Sequence, residues 1–161
     1  MKKLNYLQIV FHTIGVWILI LSIYSFSGLY NIRILELSQK NGVEKIAHNA
    51  KKYALSSVDI MNVSLAKGLS ISIVILIGTV LSIAVSVKKK WLLLNCLFVF
   101  LLSILISRLG LFNGVMRGII SPENVNYNLR YKYIAQGILF LIIGISLFSL
   151  KKINMIIEKN K

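Results

Sequence analysis

Chemistry needs nucleophiles, acids, bases or metal ligands, and this chain offers few. It has two histidines (His12 and His48), one cysteine (Cys96) and five acids (Glu36, Glu44, Asp59, Glu123 and Glu158). The histidines show no metal-ligand spacing. A lone cysteine excludes a cysteine-pair thiol–disulfide enzyme acting by itself. No G-x-x-x-x-G-K-[ST] loop is present to cradle a phosphate, and no G-x-S-x-G turn to expose a serine. The serines are many, but none has a convincing acid–base partner. No catalytic residues, metal ligands or cofactor are expected, and the chain reads as non-enzymatic.

Three other groups of residues could carry function. Gln8 and His12 are four apart and share one helical face; Asn95 adds a polar group in a later apolar stretch. An ionisable residue within a membrane span is a functional candidate by default. The competing reading for His12 is a neutral imidazole bonded to a neighbouring helix, and the lack of any acid in the apolar stretches favours it. Arg108, Arg117, Arg130 and Lys132 form the second group. They could hold an anion or an anionic headgroup, since guanidinium grips phosphate with two parallel bonds. Side chains snorkelling from helix ends are the plainer reading. The third group is small residues at helical spacing: Gly78, Ser82 and Ser86; Ser103 and Ser107; Gly110, Gly114 and Gly118; Gly137 and Gly144. Such seams let helices approach closely, within one chain or against another subunit.

The elements that must position these residues follow from composition. Of 161 residues, 57% are hydrophobic and 15% charged, and the mean hydropathy is +0.76. Disordered chains are polar and charged, and a soluble domain of this size could not bury apolar residues at this density. Four apolar stretches approach the roughly 20 residues that a spanning helix needs: 7–30, 68–87, 91–107 and 134–150. None contains Asp, Glu, Lys, Arg or Pro. The runs are continuous rather than alternating, which argues against a transmembrane β-barrel. The last two are short, so the third is expected to extend past Arg108 and the fourth backward through Tyr133 and Tyr131. The expected fold is all-α: one integral-membrane domain over 1–161, a four-helix bundle with helical extramembrane segments in the first and third loops.

Positive residues set the expected orientation. With both termini cytoplasmic, the inside segments 1–6, 88–90 and 151–161 carry nine Lys or Arg in 20 positions. The outer loops, 31–67 and 108–133, carry ten in 63. The tight Lys88-Lys89-Lys90 turn weighs most, because short loops dominate the rule. A cleaved leader is the alternative for the first stretch, but the run exceeds an ordinary leader core.

Within the loops, Val43, Ile46, Ala47, Ala50, Ala54, Val58, Met61 and Leu65 fall at gaps of three and four. That pattern predicts one continuous helical face, after a turn at Asn41-Gly42, with 31–40 continuing the first helix. Ser121-Pro122-Glu123 reads as a helix start leading toward Val125, Leu129 and Tyr133. Ile153, Ile156 and Ile157 predict an interfacial helix in the basic tail.

The net charge of +14 is spread around apolar segments, so it points to anionic lipid rather than nucleic acid. The expected role is an accessory, structural or regulatory membrane subunit working through helix–helix contact, with the bilayer, a membrane protein or a second copy as partner. An oligomeric small transporter, channel or anionic-lipid-binding protein is the alternative. The high Lys and Asn usage suits an AT-rich prokaryotic genome.

Overall fold

The computed structural model describes residues 4–109 and 128–159, and every regular element among them is helical. Helix α1 covers Tyr6–Tyr30, α2 Ile32–Asn41, α3 Val43–His48, α4 Ser57–Lys88, α5 Leu94–Arg108, α6 Leu129–Ser149 and α7 Lys151–Lys159, with a 3-10 turn at Ala50–Tyr53. Three helical segments are long and apolar enough to cross a membrane: Tyr6–Tyr30, Gly68–Lys88 and Leu129–Ser149. The apolar helix α5 has 15 residues and falls below that length. Its expected extension lies, beyond Leu109, outside the described residues. So do Gly110, Gly114, Gly118, Arg117 and the expected helix start at Ser121-Pro122-Glu123.

The ends of these helices follow local chemistry. The Asn5 carboxamide accepts the Gln8 N–H at 3.0 Å and caps α1. Helix α4 closes with paired bonds from Trp91 N–H to the Ser86 carbonyl (2.8 Å) and from Lys90 N–H to the Val87 carbonyl (3.1 Å). This is the Schellman pattern, which requires a left-handed residue between them. Lys90 takes that place at φ 55°, where glycine is usual. The motif turns the chain back and buries Trp91.

The single helical face expected from Val43 to Leu65 is broken. α3 ends at His48, the 3-10 turn ends on left-handed Ala54 (φ 51°), and α4 starts afresh at Ser57. A capping box explains the restart. The Ser56 hydroxyl accepts the Asp59 N–H (3.1 Å), and the Asp59 carboxylate accepts the Ser56 N–H (2.8 Å). Local end-capping prevailed over apolar periodicity. The turn at Gly42 stands (φ 80°), and residues 32–41 are helical, though set off from α1 at Asn31. The fourth apolar stretch does extend backward through Tyr133 and Tyr131.

Helix α1 is central, packing against α6 most extensively and also against α4 and α5. The α1–α6 contact exchanges small for large residues in antiparallel order. Phe148 lies over Gly15, Leu19 over Gly144, Phe26 over Gly137 and Tyr133 over Gly28. A Cβ at Gly144 would stand 2.8 Å from Leu19 atoms, and one at Gly137 2.7 Å from the Phe26 ring. The outward faces are aliphatic: Leu69, Ile73, Leu76 and Val80 on α4; Leu97, Leu101 and Leu105 on α5; Ile138 and Ile142 on α6.

Candidate functional site

One set of polar side chains from three apolar helices converges, while Ser25, Thr79 and Ser103 bond back to carbonyls of their own helices. Gln8 and His12 lie on the α1 face that meets Ser82 and Ser86 of α4. Gly78, one turn further, receives Val16, whose Cγ2 would be 2.5 Å from an added Cβ. Residue pairs 8/86, 12/82 and 16/78 thus step along an antiparallel contact in units of four. Ser82 and Ser86 are fully buried. Gly78, Ser82, Ser86, Gly137 and Gly144 are therefore used inside the chain. Ser103 is likewise buried and returns its hydroxyl to the Val99 carbonyl at 2.7 Å.

Hydrogen bonds join this face to α5. Asn95 donates to the Gln8 carboxamide oxygen at 2.6 Å, and Gln8 donates through its nitrogen to the Ser86 hydroxyl at 2.7 Å. The Ser86 hydroxyl meets the Cys96 thiol at 3.2 Å, and the Ser82 hydroxyl donates to the same sulfur at 3.4 Å. Ser82 also contacts His12 Nδ1 at 2.7 Å. If the serine proton goes to sulfur, His12 Nδ1–H donates to Ser82, and Nε2 is left with its lone pair. The backbone N–H of Asn5 reaches the Asn95 oxygen at 3.4 Å. Gln8, His12 and Asn95 are thus brought into one network spanning α1, α4 and α5.

Two polar atoms stand at its margin. His12 Nε2 and Trp91 Nε1 are buried and make no hydrogen bond to protein. Their rings are 6.2 Å apart between centroids, with Phe148 packed 4.8 Å from His12 on the α6 side. One atom is an acceptor and the other a donor in the arrangement above. Among the described residues no group of three or more His, Cys, Asp or Glu could hold a metal ion. Asn5, Cys96 and Trp91 were not selected as candidates from the sequence. The spacing of Asn5 before Gln8 was the available signal for the cap.

The basic candidates separate. Arg108 ends α5 and is exposed. Arg130 and Lys132 lie in the first turn of α6, and Arg130 Nε sits 3.6 Å from Glu36 on α2. Glu36 thus comes to Arg130 from the first loop, while Glu123 lies outside the described residues. Exposed pairs of this kind contribute at most about 1 kcal/mol.

A second basic group gathers where both terminal segments meet. Leu150, in extended geometry, breaks the chain between α6 and α7. The Asn5 carboxamide nitrogen donates to the Ile157 carbonyl at 2.7 Å, and Lys89 pairs with Glu158 at 3.0 Å. The start of α1, the α4–α5 turn and α7 therefore share one end of the molecule. No family model matches the chain, and no curated protein or solved structure is significantly similar to it.

Proposed function

We propose that this chain is a multi-pass membrane protein with four inserted helices, α1, α4, α5 and α6, bundled around α1 and with both termini cytoplasmic. In this reading it is a non-enzymatic accessory, structural or regulatory subunit that works through helix–helix contact. One observation carries the reading: polar groups of three helices face one another and bond, while the outward faces are aliphatic. A chain so arranged spends its polarity on fixing helix positions and offers its flanks to lipid or to another membrane protein. Meeting of the two terminal segments at one end supports an even number of crossings. An exposed stripe on α1, Tyr6, Val10 and Ile14, offers a flank for a partner helix.

Native mass spectrometry of the tagged chain, extracted gently from its host membrane, tests this. A complex containing a second polypeptide is expected. A bare homo-oligomer would instead support the second reading, an oligomeric transporter, channel or lipid-binding protein. That reading draws on the buried, unpartnered His12 Nε2 and Trp91 Nε1.

A further inference from the structure

The terminal end combines three features. It is strongly basic: Lys88, Lys90, Lys151 and Lys152 are all exposed. Of the described acids only Glu158 is present there, and Lys89 already engages it. No acid among the described residues pairs with the other four lysines. The third feature is α7, which is amphipathic across this end. Asn154 and Ile157 are buried against the protein, while Met155 and Ile156 remain 46% and 41% exposed. The α7 contacts through Ile157 and Glu158 fix it to α1 and to the α4–α5 turn.

An amphipathic helix with lysines beside exposed aliphatic side chains suits the headgroup boundary of a bilayer. Cationic side chains there attract anionic lipid, and each contributes appreciably near such a surface. We propose that the terminal end, formed by the Lys88–Lys90 turn and α7, binds the phosphate headgroup of anionic phospholipid. Met155 and Ile156 meet the acyl boundary, and Lys88, Lys90, Lys151 and Lys152 surround the headgroup. The Lys89–Glu158 pair holds the two halves of the site together. The proposal rests on the membrane reading above, but not on the existence of a protein partner.

The test uses the purified full chain in detergent, stripped of lipid and then supplied with phosphatidylglycerol or phosphatidylcholine. Native mass spectrometry counts the lipids retained. The wild type should hold phosphatidylglycerol several-fold better. Lys151→Gln with Lys152→Gln, and separately Lys88→Gln with Lys90→Gln, should each lower that retention about fivefold or more. Lys151→Arg with Lys152→Arg should preserve it, as should Lys45→Gln with Lys51→Gln at the other end. Equal retention of the two lipids by the wild type would overturn the proposal, as would undiminished retention in both Gln pairs. A chain absent from the host's membrane fraction would sink the membrane reading itself; a membrane-extracted chain indifferent to headgroup would sink only the lipid site.

Discussion

Gln8 uses both ends of its carboxamide, one on Asn95 and one on Ser86, so it ties α5 and α4 to α1 at once. Asn95→Leu removes a donor and leaves the buried Gln8 oxygen unanswered. Helix–helix hydrogen bonds between membrane helices contribute about 1 kcal/mol, and a loss of that order is expected in a reversible detergent unfolding measurement. Gln8→Leu combined with Asn95→Leu should cost less than the two changes added; strict additivity would deny that the residues are coupled. Gly78 makes a steric prediction of the same kind. An added Cβ meets Val16 Cγ2 at 2.5 Å, so Gly78→Ala should cost about 1–3 kcal/mol as overpacking does. Val16→Ala should recover part of that loss. If Gly78→Ala unfolds like the wild type, α1 and α4 do not approach at this point.

At the scale of elements, end-capping decided what periodicity could not. The Ser56-Ser57-Val58-Asp59 stretch was a readable helix start, yet the spacing of apolar residues through it suggested unbroken helix. Backbone and hydroxyl bonds from Ser56 hold the Asp59 carboxyl below its ordinary range, with a smaller contribution from Arg33. A lowered folded value means that the cap contributes fully above the usual carboxylate pKa of about 3.9. The contribution is lost as pH falls through the lowered value. Backbone chemical shifts of residues 57–62 in micelles should therefore lose helical character on acidification, and Asp59→Asn should remove most of that dependence. An identical acid response in the variant would reject the cap as its origin. The seams show a different limit of sequence reading. Gln8–His12 and Gly78–Ser82–Ser86 were each recognisable as faces, because helical spacing is local information. That they face one another, four residues at a time, is information about register between distant segments. No single-segment pattern contains it.

For the whole molecule, the apolar stretches and the expected tail helix were legible because hydrophobicity and spacing suffice to mark them. The convergence of Asn5, Lys89 and Glu158 was not, since it depends on α7 turning back at Leu150. The proposed topology yields a direct prediction. In a Cys96→Ser background, Lys45→Cys should react with a membrane-impermeant maleimide on intact cells. Lys88→Cys should react only after permeabilisation. The reverse pattern would invert the orientation, and equal labelling of both would abolish it. Cys96 itself, being buried, should label poorly in the folded wild type.

The central place of α1 also bears on how the chain is made. α1 is made before α4 and α5, so Asn5, Gln8 and His12 emerge ahead of the Ser82, Ser86 and Asn95 that bond them. Ser86 follows Gln8 by 78 residues, a delay of about 4–16 seconds at ordinary translation speed. In the proposed membrane topology the polar face must stay near water or insertion machinery during that interval, because a lipid interior supplies nothing to bond it. A chain halted before α4 would display Gln8 and His12 without the two serines that bond them.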